Sequence, residues 1–403
     1  MNPDLDKLQP YPFEKLKALL AQVSHTQNLK HIPLSIGAPN HPAPQLVVDS
    51  LASNLEKLSN YPSTKGIPEL RESIAKWANK RFDLCNTSSS NGLDPESQIL
   101  PVNGTREGLF SFTQAIIDRT KPAIVISPNP FYQIYEGAAY LAGADLELLP
   151  CLKENNFIPD YGSVKKEIWE NCQILFLCSP GNPTGSVTPL KTLKLLIDLA
   201  DKHDFIIASD ECYSEVFCNE EEPPVGLLEA CAKLGRNNYE RCVVFHSLSK
   251  RSNLPGLRSG FVAGDKHILA NFLKYRTYQG CAMPIQHQLA SIAAWNDETH
   301  VGENRTLYRE KFNQVLKILK PVLDVEQTDA SFYLWPKTNI SEELFAQKLF
   351  EEQHVTVLPG SYLSRTIDGI NPGQNRIRLA LVASMDDCIE AAKRIKNFVE
   401  GLK

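Results

Sequence analysis

The middle of the chain alternates short apolar runs with longer segments of helical periodicity. The apolar runs have the length of strands that are buried on both faces of a sheet. They lie at residues 99–102, 123–126, 146–149, 174–177, 205–209, 243–246 and 260–263. This alternation predicts an α/β fold with a mostly parallel central sheet.

Five segments around and between these runs have the spacing of amphipathic helices, at residues 67–81, 106–117, 132–141, 190–202 and 265–278. In the segment 190–202, Leu193, Leu196, Ile197 and Ala200 recur on one helical face. Strands that are apolar throughout need cover on both faces, so we expect these helices to flank the sheet.

The pattern changes near residue 296, which indicates a second, smaller α+β domain. An amphipathic segment at 300–320 comes first, then the strand-like stretches "SFYLWP", "HVTVLPG" and "RIRLAL", and a last helix at 386–401. We predict a large domain over 41–295 and a small domain over 296–403. Residues 1–40 are too short to fold alone, and we expect them to dock on the small domain. The polar stretch "NTSSSNG" (86–92) predicts a surface loop.

Composition excludes several classes of function. The 403 residues carry a net charge of −5 without a basic stripe, so nucleic acid is not expected as a partner. No apolar run approaches the length of a membrane span, and the N-terminus does not resemble a signal peptide. The ten cysteines form no C-x-x-C pair and no metal-ligand spacing. We expect a cytoplasmic protein without a metal site.

Chemistry-bearing residues follow the predicted strands, and in open α/β folds ligands bind beyond the carboxyl ends of strands. Lys250 follows the run 243–246, where desolvation would turn its amine into a nucleophile; a structural ion pair is the alternative. Asp210 follows the run 205–209, with Tyr213 close behind; a helix cap is the alternative for the acid. Asn182, in "SPGNPTG", is either a positioned polar contact or a turn residue.

A phosphate site is indicated beside this lysine. Ser247, Ser249 and Arg258 combine hydroxyl groups with a guanidinium. The stretch "NGTREG" places Gly104, Thr105 and Arg106 at a helix N-terminus, where free N–H groups bind phosphate. An amine nucleophile, a buried acid, an aromatic ring and a phosphate site together suggest pyridoxal phosphate as cofactor.

The motifs resemble those of the class I/II aminotransferases, which are fold-type I pyridoxal-phosphate enzymes. The resemblance rests on "SLSK" with Arg258 and Gly260 after it, on "SPGNPTG" and "SDECY", on "YPSTKGIPELRESIA" (61–75) and on "NRIRLAL" (375–381). It spans roughly residues 30–400. Ser259 departs from the family pattern, in which an apolar residue or alanine usually follows the arginine, and we expect little consequence.

The resemblance implies a role for each matching residue. Lys250 attaches the cofactor and moves the substrate proton, and Asp210 pairs with the ring nitrogen. Asn182 and Tyr213 contact the ring hydroxyl. Tyr132 stacks on the ring, with Phe131 and Tyr135 as competitors for that role. The phosphate is held by Gly104, Thr105, Arg106, Ser247, Ser249 and Arg258.

The same resemblance implies a homodimer with active sites at the subunit interface, where Tyr61 reaches the phosphate of the neighbouring subunit. Arg378 binds the α-carboxylate of the amino acid, and Gly37 lets the backbone approach it. The substrates are then an amino acid and a 2-oxo acid. Arg376 is expected to be a strand residue without a direct role.

Within the family, "SLSKRSNLPGLRSGFVAGD" most resembles the succinyldiaminopimelate transaminases of lysine synthesis. Their polyanionic substrate needs further cationic contacts, for which Arg251, Arg276 and Lys274 are candidates. The alternatives are an aspartate, N-acetylornithine or broad-specificity aminotransferase, or a C–S β-lyase on the same scaffold. A sensor domain of a transcription regulator is disfavoured, because only about 30 residues precede the match.

Overall fold

The computed structural model describes residues 1–24, 28–85 and 92–402. The predicted loop at 86–92 therefore lies outside the described residues except for Gly92. The strands are β1 Ile32–Pro33, β2 Ile99–Val102, β3 Ile124–Asn129, β4 Asp145–Pro150, β5 Cys172–Cys178, β6 Ile206–Asp210, β7 Cys242–Ser247, β8 Gly260–Gly264, β9 Tyr333–Leu334, β10 Val355–Thr356, β11 Leu358–Pro359 and β12 Ile377–Ala380.

The α-helices alternate with these strands through the middle of the chain and cluster again near its end. They are α1 Pro12–Leu20, α2 Gln45–Ala52, α3 Pro68–Arg81, α4 Thr105–Ile116, α5 Ile134–Leu141, α6 Lys166–Asn171, α7 Leu190–His203, α8 Leu227–Lys233, α9 Leu248–Arg251, α10 Lys266–Gln279, α11 Ile285–Trp295, α12 Thr299–Leu319, α13 Glu342–Gln353 and α14 Met385–Gly401.

Seven strands form the central sheet in the order β2-β8-β7-β6-β5-β3-β4. All of them are parallel except β8, which runs antiparallel to both of its neighbours. The seven predicted strands and the mostly parallel sheet are therefore confirmed. The last residue of β7, Ser247, is paired with the first residue of β8, Gly260, so the connection between them lies at the carboxyl edge of the sheet.

Alternate residues of each central strand enter cores on opposite faces of the sheet. In β5, Leu175 and Leu177 belong to one buried cluster, and Ile174 and Phe176 belong to the other. This two-sided burial explains why the strands are apolar throughout.

The C-terminal part of the chain builds a separate apolar core. Strands β11, β12 and β9 form an antiparallel sheet, and α12, α13 and α14 surround it. The N-terminal segment contacts this part at several points. Strand β1 pairs with β10, and Leu16 of α1 packs with Trp335 and Leu358. The domain division at residues 40 and 295 remains a prediction.

Within the described ranges, no helix combines the length and the apolar run that crossing a bilayer requires. In the same residues, no three potential metal-ligating side chains come together.

Candidate active site

A cavity of about 430 Å³ opens at the carboxyl edge of the central sheet. Residues from the sheet edge, the N-terminal segment and the C-terminal sheet line it together. Twelve of the fourteen predicted site residues contribute to its wall: Gly37, Thr105, Arg106, Tyr132, Asn182, Asp210, Tyr213, Ser247, Ser249, Lys250, Arg258 and Arg378. Tertiary folding thus brings together motifs that are separated by more than 300 positions in the sequence.

Lys250 lies in the one-turn helix α9, directly after the buried strand β7. Its Nζ donates a hydrogen bond of 2.6 Å to the carbonyl oxygen of Gly37. Burial lowers the pKa of its amine from 10.5 to about 8. About a tenth of this amine is therefore unprotonated at pH 7, far more than for an ordinary lysine, and the neutral form is the one that acts as a nucleophile or a base.

Asp210 ends strand β6 and is buried. One carboxylate oxygen accepts from the Tyr135 hydroxyl at 2.8 Å, and the other accepts from the Cys212 backbone N–H at 3.2 Å. Burial raises the pKa of the carboxyl group, and these hydrogen bonds oppose the rise. In the part of the chain that the structure describes, Asp210 forms no salt bridge, so a cationic group of a ligand would find an uncompensated acid here.

The predicted phosphate site is built from two loops that meet. Ser247 caps α9 by accepting from the Ser249 backbone N–H at 3.1 Å. Arg258 donates to the carbonyl oxygens of Pro255 at 2.8 Å and Asn103 at 3.3 Å. Gly104 precedes α4 with φ +84°, and a Cβ atom there would lie 2.1 Å from an Arg258 Nη atom. Only glycine fits this position, which brings the guanidinium against the N-terminus of α4.

Arg378 in β12 lies at the buried end of the cavity. One Nη atom donates to Asn182 Oδ1 at 3.0 Å, and the other donates to the Ser35 carbonyl oxygen at 2.7 Å. Its Nε is buried without a hydrogen-bond partner. The guanidinium stacks over the Tyr333 ring at 4.5 Å. An unpaired donor on a buried, oriented guanidinium fits an anionic ligand such as a carboxylate.

Gly37 is held against two tyrosines. A Cβ atom at Gly37 would lie 1.9 Å from the Tyr333 hydroxyl oxygen, which is itself 2.8 Å from the Tyr213 hydroxyl. Burial raises the pKa of both hydroxyls, so both are neutral at pH 7. The absence of a side chain at Gly37 is what allows this packing.

Tyr132 lines the cavity, whereas its two competitors do not. Phe131 is fully buried in the core, and the Tyr135 hydroxyl donates its hydrogen bond to Asp210. Tyr132 accepts a 2.6 Å hydrogen bond from Arg106 Nε, and Arg106 also donates to the Tyr11 hydroxyl at 3.1 Å. The Arg106 side chain therefore lies between two aromatic residues at the cavity mouth.

None of the three candidates for a distal cationic contact lines the cavity of this chain. Arg251 is buried, with hydrogen bonds to the carbonyl oxygens of Ala294 and Asp297 and an ion pair with Glu298. These contacts hold the Arg251 guanidinium inside the protein and away from the cavity.

The other two candidates point elsewhere as well. Arg276 is buried in a two-pronged ion pair with Glu107, at 2.7 and 2.9 Å. Lys274 is exposed and lines a surface groove with Tyr275 and Tyr278.

Three further residues complete the comparison with the predictions. Tyr61 is fully exposed and does not line the cavity of its own chain. Arg376 donates to the Trp335 carbonyl oxygen and stays outside the cavity. Ser259, the departure from the family pattern, accepts a 2.7 Å hydrogen bond from the Ser291 hydroxyl and is buried without strain.

Eleven residues of the cavity wall were not among the predicted site residues, and four of these carry a hydroxyl or thiol group: Tyr11, Cys178, Cys212 and Tyr333. Cys212 Sγ lies 3.0 Å from Thr105 Oγ1, and burial raises the pKa of its thiol. Cys212 directly precedes Tyr213, and Cys178 directly precedes the stretch "SPGNPTG" that contains Asn182, so both positions carried a usable signal. Tyr11 and Tyr333 arrive through tertiary packing alone.

The fold is α/β, and its cavity combines a buried lysine, a buried acid and several guanidinium groups. The family model described as "Aminotransferase class I and II" matches residues 30–395. The chain therefore belongs to the class I and II aminotransferases, and it is a pyridoxal-phosphate-dependent transaminase.

Individual relatives match over nearly the whole chain. An LL-diaminopimelate aminotransferase from Aquifex aeolicus is 32% identical, over 98% of this chain and 97% of its own length. An aminotransferase structure from Neisseria meningitidis is 46% identical with a TM-score of 0.94, covering 99% of this chain and all of its own. The aminotransferase AspB structure from Helicobacter pylori is 35% identical with a TM-score of 0.89, covering 98% and 99%.

The residues present fit pyridoxal phosphate. The uncompensated Asp210 suits a protonated ring nitrogen, and the neutral fraction of Lys250 suits an aldehyde. Gly104 leaves room for the Arg258 guanidinium at the N-terminus of α4, which suits a phosphate.

Proposed function

We propose that this aminotransferase moves the amino group of a long, doubly acidic amino acid of the diaminopimelate type to 2-oxoglutarate. One observation carries the proposal: the same cavity is lined by Arg378 at its buried end and by Arg106 at its mouth. Two guanidinium groups on one cavity suit a substrate with a carboxylate at each end.

We propose the following roles for the cavity residues. Lys250 attaches the cofactor and then carries the α-proton on its Nζ. Asp210 holds the proton on the ring nitrogen, and Tyr132 covers the ring. The ring hydroxyl is contacted by Asn182 and Tyr213. The phosphate is bound by Gly104, Thr105, Ser247, Ser249, Arg258 and the backbone N–H of Arg106. Pyridoxal phosphate, when bound, supplies the aldehyde that takes up the amino group and a ring that accepts the electron pair of the α-carbon.

Arg378 is proposed to bind the α-carboxylate, because it has a free Nε donor and is fixed by Asn182 and Ser35. This fixed guanidinium orients the α-carbon toward Lys250 before the proton moves. The Arg106 side chain is assigned to the distal carboxylate, which revises the phosphate role expected from the resemblance. Its hydrogen bonds go to the hydroxyl groups of Tyr132 and Tyr11, and among the described residues it forms no salt bridge with an acidic side chain.

Two substrates of this type are candidates. LL-diaminopimelate is the first, because relatives that match almost the whole chain carry that name. N-succinyl-LL-2,6-diaminopimelate is the second, on the likeness of the sequence around Lys250. That likeness includes Arg251, which is buried against Ala294 and Glu298. The similar sequence around Lys250 therefore supports similar packing in the core more strongly than it supports the same substrate.

We also propose a cytoplasmic homodimer. Tyr61 is fully exposed, and the apolar Leu55 and Leu58 beside it are 52% and 70% exposed. A second copy of the chain would cover this surface and place Tyr61 near the partner phosphate. All ten cysteines are free, which fits a reducing compartment.

The test is an absorbance titration of the cofactor-loaded protein with LL-diaminopimelate, its N-succinyl derivative, aspartate, N-acetylornithine and alanine. We expect a diaminopimelate compound to bleach the cofactor band at the lowest concentration. The variant Arg106→Met should raise the half-bleaching concentration of that compound about tenfold and leave alanine unchanged.

Arg119→Met removes an exposed arginine away from the cavity and serves as the matched control. An equal shift for alanine in Arg106→Met would contradict a distal-carboxylate role. Preferential reaction with aspartate or N-acetylornithine would replace the substrate and keep the enzyme class. Release of pyruvate and ammonia from cystathionine without a 2-oxo acid would favour the C–S β-lyase.

A further inference from the structure

A buried hydrogen-bonded chain leads from the small-domain helix α12 to the backbone of Lys250. Asn304, Tyr308 and Lys311 occur four and three residues apart on α12 and therefore share one helical face. His41 lies on this face and contacts all three. It lies 2.8 Å from Asn304 Oδ1 and 2.7 Å from Lys311 Nζ, and its ring is 4.6 Å from that of Tyr308.

The hydrogen bonds of Asn304 determine which atom donates and which accepts in each bond of this series. Asn304 Nδ2 donates to the carbonyl oxygens of Lys250 at 3.3 Å and Arg251 at 3.4 Å, so its Oδ1 is the acceptor. Asn253 and His41 both donate to that oxygen. His41 therefore carries its proton on Nδ1 and accepts from Lys311 on Nε2.

Lys311 is an unusual group for a core. It is 2% exposed, and in the described residues it forms no salt bridge with Asp or Glu. Its hydrogen bond is to a neutral imidazole. Burying an amine this way has a free-energy cost that an apolar residue would avoid, which makes a role in positioning the better explanation.

The segment that His41 anchors is the one that covers the reactive amine. The Gly37 carbonyl accepts from Lys250 Nζ, and the Ser35 carbonyl accepts from Arg378. The stretch 35–41 is thus fastened at three points, and two of them are the groups that we assign to proton transfer and to the substrate carboxylate. His41 and α12 form the third point, which touches no reacting group.

We propose that His41, Asn304 and Lys311 are positioning residues that fix the stretch 35–41 relative to the Lys250 backbone. In this arrangement the Lys250 amine stays desolvated and keeps its orientation in the cavity. The inference depends on Lys250 as the reactive amine and not on which amino acid is the substrate. Loss of His41 would loosen the Gly37 carbonyl, admit water to Lys250 and leave the Arg378 contact with Ser35 in place.

The first test uses the cofactor-free protein. The Lys250-containing peptide is followed by mass spectrometry after brief exposure to acetic anhydride across a pH range, which reports the pKa of the Lys250 amine. We expect His41→Ala to move that pKa upward by about one unit toward its ordinary value. His41→Gln, whose amide offers one donor and one acceptor, should restore most of the wild-type profile.

The second test uses the loaded enzyme with any amino acid that it accepts. We expect kcat of His41→Ala to fall about tenfold while KM stays within about twofold, because the carboxylate site is unchanged. Lys311→Met should change the Lys250 profile and kcat in the same direction without loss of thermal stability. His267→Ala removes an exposed histidine and is the matched control.

The result that overturns the inference is a His41→Ala protein that is less stable but has the Lys250 pKa and kcat of His267→Ala. An unchanged Lys250 profile in Lys311→Met would equally remove the ammonium from the positioning chain. Neither result bears on the proposed substrate, which is tested by the titration with diaminopimelate compounds.

Discussion

The contact between Gly37 and Tyr333 gives the sharpest prediction, because a single methyl group tests it. In Gly37→Ala the new Cβ atom would lie 1.9 Å from the Tyr333 hydroxyl oxygen and 2.7 Å from the ring carbon that bears it. Both distances are far inside van der Waals contact, so the Tyr333 ring must move. The move also breaks the hydrogen bond between Tyr333 and Tyr213.

The magnitude follows from these two losses. Overpacking of a core position costs about 1–3 kcal/mol, and a lost hydrogen bond costs about 0.5–1.5 kcal/mol net. We therefore expect the free energy of unfolding of Gly37→Ala to fall by about 2–4 kcal/mol. The Arg378 guanidinium stacks on the displaced ring, so KM for the amino acid should rise about tenfold, equivalent to about 1.4 kcal/mol.

The assay is urea unfolding of the cofactor-free chain together with steady-state kinetics of the loaded enzyme. Gly302→Ala is the control, because a Cβ atom there meets nothing within 4 Å and the site is in α12; it should be neutral or stabilising by up to about 1 kcal/mol. Tyr333→Phe in the Gly37→Ala background removes the closest clashing atom and should recover part of the stability.

Two outcomes would refute this reasoning. A Gly37→Ala protein with the stability and KM of Gly302→Ala would mean that the glycine does not limit the approach of the two chain segments. A double variant with no recovery would mean that the Tyr333 hydroxyl is not the obstacle.

Three further predictions concern the cavity. Burial lowers the pKa of Lys250 to about 8, so between about pH 8 and 10.5 this residue binds fewer protons in the folded than in the unfolded chain, and its own contribution to stability rises with pH across that window. Lys250→Met should remove that contribution, so in urea unfolding the variant of the cofactor-free chain should be more stable than wild type by about 3 kcal/mol at pH 7 and by much less at pH 10; the same pH slope in both proteins would contradict the lowered pKa. Asp210→Ala should weaken cofactor retention in dialysis and lower kcat together, and retention and kcat at wild-type values would count against its pairing with the ring nitrogen. Arg378→Lys should raise KM at least about tenfold with less effect on kcat, because an ammonium cannot replace a planar fork, whereas an unchanged KM would place the carboxylate elsewhere.

The strands were the most predictable part of the fold, and their ends were the least. The run 205–209 gave the core of β6, but the strand extends to Asp210. The run 243–246 stopped before Ser247, which is the last residue of β7. Hydrophobic pattern detects a strand by its burial, and it fails at the residue where the strand becomes polar because it has reached the site.

The residues of the candidate site likewise fall into those that the sequence could place and those that it could not. Motifs that follow strands could be placed from the sequence, because the carboxyl edge of a parallel sheet gathers them in one region. Tyr11 and Tyr333 could not, since each reaches the cavity only through the packing of distant segments. Arg251 and Arg276 were misplaced for a related reason. The partner of a cationic residue cannot be read from the sequence, and here the two buried guanidinium groups pair with Glu298 and Glu107, which are themselves partly exposed.

The antiparallel strand β8 of the central sheet explains how Lys250 and Arg258 come to line the same cavity. If β8 ran parallel to β7, the chain would have to cross to the far edge of the sheet between them. Instead, the connection 248–259 begins and ends at the carboxyl edge, where Ser247 is paired with Gly260 and the Leu248 N–H donates to the Ser259 carbonyl at 3.1 Å. Both ends of this connection are fixed to the sheet, so the Lys250 amine and the Arg258 guanidinium are presented from one closed loop. The distance between the Lys250 amine and the Arg258 guanidinium is therefore set by the sheet, so we expect substitutions of Arg106 at the cavity mouth to change the proposed substrate choice without disturbing it.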